Sequence, residues 1–182
     1  VSLDPSSEIV GLIGSKEGLF NLSQVILNPG DVALVQDPGY PVYSASGIIA
    51  GGEVVQFPLL AENQFIPDLK SIPSGILERA KILCLNYPNN PTGAIMGRKD
   101  LEEIARVVAE HDIMVISDEV YECLTYNGGH TCFATIDGMK DRTILLNGFS
   151  KAYAMTGFRL AYALAPSPII NAMMRIHQYC ML

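Results

Sequence analysis

No apolar stretch in this sequence is long enough to cross a bilayer, because glycine, proline or a charged residue interrupts every one. The first residues do not read as a signal peptide. Basic residues are scarce: 12 Lys and Arg stand against 19 Asp and Glu, a net charge of −7, and neither Lys nor Arg clusters. That argues against a nucleic-acid binder, although an acidic chain can still hold an anion in a local pocket. The four cysteines (Cys84, Cys123, Cys132 and Cys180) include no CxxC pair, and the three histidines complete no metal-ligand pattern. The expectation is no metal, and reduced, buried thiols in a cytoplasmic protein. The nucleotide fingerprints GxGxxG and GxxxxGK[ST] are absent. So are internal repeats and low-complexity linkers.

What remains is a chain of 182 residues, 49% apolar and 17% charged, enough for one sizeable domain with a core. Both ends read as cut. The sequence starts at Val1 without a methionine. Its last helical pattern, Ser167–Leu182, has Ser167 as N-cap and Pro168 in the first turn, and no Gly or Pro closes it. A single domain spanning residues 1–182 of something longer is expected.

Short apolar runs alternate with helical stripes. Strands are expected at Ile9–Ile13, Val32–Gln36, Val54–Phe57, Ile82–Leu85, Ile113–Ser117, Thr143–Leu146 and Leu160–Leu164. Helices are expected at Lys16–Leu27, Tyr40–Ala50 and Arg98–His111, with a short one near Ile76–Ala80. Arg98–His111 has Leu101, Ile104, Ala105 and Val108 on one face and charges on the other. Fully apolar strands separated by helices imply an α/β fold. Its seven-stranded, mostly parallel sheet has helices on both faces. Lys151 to Leu160 is short for a helical crossover, so the last strand is expected to run antiparallel.

Ligands of open α/β sheets bind beyond the C-terminal ends of the strands. Chemistry-bearing residues follow five of the expected strands: Gly14, Ser15 and Lys16; Tyr40; Asn86, Tyr87, Asn89 and Asn90; Asp118, Glu119 and Tyr121; Ser150 and Lys151. All fall on one rim. Gly14-Ser15-Lys16, where a strand meets a helix N-terminus, suits an anion. Read alone, it is more often an ordinary turn. NYPNNPTG (Asn86–Gly93) carries two X-Pro bonds that stiffen it, either to aim an amide or as a structural turn. Asp118 ends an apolar strand, where an unpaired carboxylate is costly. It calls for a structural salt bridge or a protonated ring nitrogen. Lys151 and Arg159 lie in an apolar, Gly-rich stretch. A partly buried lysine loses its proton readily and becomes nucleophilic, and arginine's fork suits phosphate oxygens. Each alone also reads as a surface lysine or a structural arginine.

In order, GSKEGL, PGDVALVQDPGYPVY, NYPNNPTG, SDEVY and NGFSKAYAMTGFR resemble the large domain of a fold-type-I pyridoxal-phosphate enzyme of the class I/II aminotransferase family. The first and third are similar to the branch with LL-diaminopimelate and aspartate aminotransferases. The resemblance implies pyridoxal 5'-phosphate (PLP) as cofactor, with Lys151 holding it as a Schiff base and shuttling the substrate's proton. It implies that Asp118 pairs with the pyridinium nitrogen, and that Asn90 and Tyr121 bond the phenolate oxygen. Tyr40 would stack on the ring. Gly14, Ser15, Lys16, Ser150 and Arg159 would hold the phosphate. A homodimer is implied, moving an amino group from an amino acid to a 2-oxo acid by a ping-pong scheme. Other reactions on the same fold are a C–S β-lyase, a decarboxylase or a synthase, and an inactive truncated domain is a third reading. Two residues depart from the family pattern: Gly148 where Ser or Thr is frequent, and Phe158 where Trp is common. The family's N-terminal segment, with a tyrosine that reaches the partner's phosphate, is missing from the pattern. So is its small domain, with the arginine that grips the substrate carboxylate.

Overall fold

The structure is a computed structural model that describes residues 2–126 and 128–180. Its strands are β1 (Ile9–Leu12), β2 (Val32–Asp37), β3 (Glu53–Pro58), β4 (Ala80–Asn86), β5 (Met114–Asp118), β6 (Thr143–Gly148) and β7 (Ala161–Leu164). Its helices are α1 (Ser15–Ile26), α2 (Val42–Ile49), α3 (Ser74–Leu77), α4 (Arg98–Glu110) and α5 (Ser167–Cys180). The strands form one seven-stranded sheet in the order β1-β7-β6-β5-β4-β2-β3. β2 to β6 pair in parallel, and β7 runs antiparallel to both its neighbours, β1 and β6. The expected direction of the last strand is therefore observed.

Alternation along the central strands explains why they are apolar throughout. In β4, Ile82 and Cys84 join the core beneath α1, α2 and α5, whereas Leu83 and Leu85 join the opposite core beneath α4. A strand covered on both faces must be apolar at every position. α1 contributes Leu19 and Leu22 to the first core and α5 contributes Ile170 and Met173; α4 presents Leu101, Ile104, Ala105 and Val108 to the second. The helix expected near Ile76–Ala80 lies earlier, at Ser74–Leu77, because Ala80 already opens β4. The expected Tyr40–Ala50 helix begins at Val42, behind Pro41, which leaves Tyr40 outside the helix. Positions 181 and 182 of the expected last helix lie outside the described residues.

Because β2, β4, β5 and β6 are parallel, their C-terminal ends share one edge. The register sets Asn86 opposite Asp118, and Asp118 opposite Leu146. Gly148 at the end of β6 faces Ala161, and Ala161 faces Leu12 at the end of β1. This edge carries the candidate site. Among the described residues, no helix is long and apolar enough to cross a membrane.

Candidate active site

A cavity of about 240 Å³ opens on that edge. Nine of the ten residues expected from the sequence line it: Ser15, Lys16, Tyr40, Asn90, Asp118, Tyr121, Ser150, Lys151 and Arg159. Gly14, the tenth, lies directly behind Arg159. A larger, more open groove of about 810 Å³ adjoins it and shares Asn90 and Tyr121. The smaller cavity is the one that holds the charged groups.

Asp118 forms the floor. It is the last residue of β5 and only 4% exposed. Its Oδ2 accepts a hydrogen bond from Tyr43 Oη at 2.8 Å, while its Oδ1 is buried without any partner. Burial pushes the carboxyl up from 3.8 to about 6, with the Tyr43 hydrogen bond and the nearby Val120 N–H, which makes no hydrogen bond of good geometry to Oδ1, pulling the other way. No lysine, arginine or histidine pairs with it among the described residues, so the structural salt bridge left open by the sequence is not what Asp118 serves. A buried acceptor with one empty side is costly unless a donor arrives. Tyr43 is buried as well, and burial together with Asp118 raises its phenol well above the usual range. It stays a neutral donor.

The wall beside Asp118 is the NYPNNPTG loop, braced from inside. Asn86 donates its backbone N–H to Gln36 Oε1 at 2.8 Å and its side-chain amide to the Asp118 carbonyl at 2.9 Å. The Asn86 Oδ1 in turn accepts the Asn90 N–H at 2.8 Å. Asn89 takes both the N–H and the hydroxyl of Thr92. Both X-Pro bonds, Tyr87-Pro88 and Asn90-Pro91, are cis. Asn90 is thus placed through the Asn86 side-chain amide, which is itself bonded to β5. Across the cavity, Tyr121 is half-buried; burial first, then Asp118 and Tyr40, raise its phenol. Tyr40 is half-buried, edge-on to Tyr43 with ring centroids 6.1 Å apart, and Lys16 Nζ lies 5.4 Å from its ring centroid.

The opposite side holds the anion-binding groups. Gly14 has φ +79°, and a Cβ there would lie 2.1 Å from Arg159 Nη2. The guanidinium therefore rests on the backbone of the β1–α1 turn, against the first turn of α1. There the free N–H groups and the helix dipole attract an anion. Arg159 itself has a left-handed backbone, φ 53°, and donates to the Thr156 carbonyl at 3.2 Å. Ser150 is half-buried at the same edge. Lys151 is fully on the exposed side, not partly buried as expected. The reason is topological: β6 ends at Gly148, and the link to β7 loops outside the sheet, leaving most of residues 151–160 in solvent.

Residues 1–181 match the family described as aminotransferase class I and II. The chain belongs to that family. It is 45% identical over 177 residues to an LL-diaminopimelate aminotransferase of Moorella thermoacetica, covering 97% of this chain and 45% of that protein. It is 41% identical over 180 residues to an aspartate aminotransferase of Pyrococcus abyssi, covering 98% of this chain and 46% of that one. The solved aspartate aminotransferase of Thermus thermophilus with maleate superposes with a TM-score of 0.93 at 40% identity, over 99% of this chain and 46% of that one. The chain thus spans about half the length of the curated relatives it matches.

Within this aminotransferase domain, the departure at Gly148 has a local cause. A Cβ at Gly148 would lie 2.8 Å from Ala161 Cβ and 3.1 Å from its Cα, so a serine or threonine would push β6 and β7 apart. Phe158 is 75% exposed. Tyr43 was missed by the sequence reading. Its only signal there is a second tyrosine three residues after Tyr40, and nothing in that spacing points to a carboxylate 75 residues away. Thr156 and Asn86 also line the cavity. The thiols differ from expectation: Cys84 is buried and its thiol is pushed up to about 12, mainly by burial, but Cys123 and Cys180 are exposed and Cys132 is half-buried. Among the described residues, the donor atoms of Glu119, Glu122 and His130 lie within 4.8 Å of one another. Glu119 touches His130 Nε2 at 2.5 Å and accepts from Ser117 Oγ and the Phe133 N–H. Burial works to lower His130, but the Glu119 hydrogen bond and charge outweigh it and raise the imidazole.

Proposed function

We propose that this chain is the cofactor-binding domain of a PLP-dependent aminotransferase, which moves an amino group from an amino acid to a 2-oxo acid by a ping-pong scheme. The observation that carries the reading is the buried, unpaired Oδ1 of Asp118, in a cavity that also holds a lysine amine and an arginine fork. PLP has one group for each: a basic ring nitrogen, an aldehyde and a phosphate. When bound, it supplies the electron sink that stabilises negative charge at the substrate's α-carbon.

The chain's own residues divide the work. Asp118 accepts the proton-bearing ring nitrogen on Oδ1, while Tyr43 keeps Oδ2 occupied and the carboxylate oriented. Asn90 and Tyr121 donate to the phenolate oxygen. Tyr40 stacks on the ring. The N–H groups of Ser15 and Lys16, with the Ser150 hydroxyl and the Arg159 guanidinium, hold the phosphate. Gly14 allows the guanidinium to lie that close. Lys151 would hold the aldehyde end of the group through its amine, and the same Nζ, once free, would take the proton from the substrate's α-carbon.

The same reading includes a cytoplasmic homodimer. Tyr153, Phe158 and Leu160 are 61%, 75% and 45% exposed beside the cavity mouth, an apolar rim suited to cover by another polypeptide. Unpaired cysteines suit a reducing compartment. No observation favours the β-lyase, decarboxylase or synthase readings, or an inactive domain. The test is to supply the full-length protein with PLP, an amino donor and 2-oxoglutarate. Glutamate is expected to accumulate, one per donor consumed. Ammonia and pyruvate without glutamate would overturn the reaction assigned.

A further inference from the structure

Glu17 touches none of the groups assigned to the ligand, yet it is among the most closely held carboxylates in the chain. It stands in the first turn of α1 with its side chain 5% exposed. Its Oε2 accepts the Ile13 N–H at 2.8 Å. Its Oε1 accepts Asn21 Nδ2 at 2.9 Å and meets His177 Nδ1 at 2.6 Å. A carboxylate oxygen accepts, so this contact is a hydrogen bond when the His177 proton sits on Nδ1. His177 comes from α5, 160 positions away, and α5 packs on α1 through the core that Ile170 and Met173 share with Leu19 and Leu22.

Ile13 precedes Gly14 and Ser15, so Glu17 ties down one N–H of the turn whose following residues, Ser15 and Lys16, line the cavity. A carboxylate so near an anion site repels the anion unless something offsets its charge. The helix dipole and the hydrogen bonds that Glu17 accepts from Ile13 and Asn21 do so here. Gly14, the N-cap, has no side chain to accept from the helix's first N–H groups.

We propose that Glu17 and His177 are positioning residues for the phosphate-binding turn: α5, acting through them, holds Ile13–Ser15 in the shape that presents its N–H groups to a phosphate. The proposal rests on the PLP reading above. It predicts a selective defect, because the brace touches the phosphate end of the cavity and not the ring end.

The test compares PLP with pyridoxal, which has the same ring and aldehyde but no phosphate, by spectroscopic titration of the full-length protein. In the wild type, PLP is expected to bind much more tightly. His177→Leu and Glu17→Ala are expected to weaken PLP by about tenfold or more, the scale of a hydrogen bond to a charged group. Pyridoxal affinity should stay within about twofold, since nothing it touches has moved. His177→Gln, whose amide can donate to Glu17, should recover part of the loss. Melting temperatures identify any variant that has lost its fold, and the milder His177→Gln then decides. An unchanged PLP-to-pyridoxal ratio in folded variants, or equal weakening of both ligands, overturns the brace. A wild type that does not distinguish the two ligands overturns instead the assignment of a phosphate to Ser15, Lys16 and Arg159, and the brace with it.

Discussion

The two sides of the cavity are built to different standards. On the ring side, Asp118, Tyr43 and Asn86 are each under 6% exposed and joined by hydrogen bonds of 2.8–2.9 Å that run from β2 through β4 to β5. On the amine and phosphate side, Lys151 and Arg159 lie in a segment that is mostly exposed, and Arg159 is steadied by one carbonyl and by contact with Gly14. Groups that must meet a charge in a dry environment need preorganisation, and a sheet interior supplies it. A covalent anchor needs only reach. In the proposed reading, the ring side is finished by this chain, and the other side awaits cover over Tyr153, Phe158 and Leu160.

Substitutions can break this comparison from either side. The largest effect is expected from Lys151→Ala, with turnover of the full-length enzyme falling on the order of 10⁴-fold, the upper range for loss of a proton-transferring group. Borohydride trapping followed by peptide mapping should then find no adduct at position 151. Stability should change by less than about 0.5 kcal/mol in denaturant unfolding, because the side chain is exposed. A large loss of stability would mean the loop is packed after all.

Asp118→Asn should act in the opposite sense on stability. Its carboxyl is raised from 3.8 to about 6 by burial. The folded apo-protein therefore holds a proton that the unfolded chain has already released. Its stability should fall as pH rises through roughly 4 to 6 and remain lower above that. Removing the charge should gain about 1–3 kcal/mol at pH 8 and little at pH 4, while turnover drops by about 10² or more. Equal gains at both pH values would show that the buried charge is not the cause.

Smaller effects separate the two sides further. Gly14→Ala places a methyl into Arg159 at a left-handed backbone position; about 1–2 kcal/mol of strain is expected, and weaker PLP binding with pyridoxal unaffected. Tyr43→Phe removes what is, among the described residues, the one side-chain hydrogen bond to the Asp118 carboxylate, and should cost about 1 kcal/mol by thermal unfolding. It should also raise the Asp118 carboxyl further, which a repeat of the stability–pH profile would reveal as a slope shifted to higher pH.

Much of this was legible before any coordinates. β2, β4 and β5 announced themselves because a strand buried on both faces has to be apolar throughout, and the short Lys151–Leu160 link correctly implied that β7 turns back. The rim residues followed from strand ends alone. Tertiary facts did not. The apolar, Gly-rich wording around Lys151 suggested burial, but burial depends on what packs over a loop, and β6 stops three residues earlier. Tyr43 reads as one more residue of α2 until β5 is laid beside it. Glu17 and His177 carry no mutual signal across 160 positions, and neither do Glu119 and His130. Each such pair becomes visible only when two elements dock.

The central claim is that the empty side of Asp118 meets a protonated ring nitrogen. It is tested most directly by ¹⁵N NMR of PLP labelled at that nitrogen, bound to the full-length protein. The account predicts a protonated-nitrogen shift that persists to pH 8 in the wild type and moves to the neutral-pyridine position in Asp118→Asn. The same shift in both proteins would contradict it.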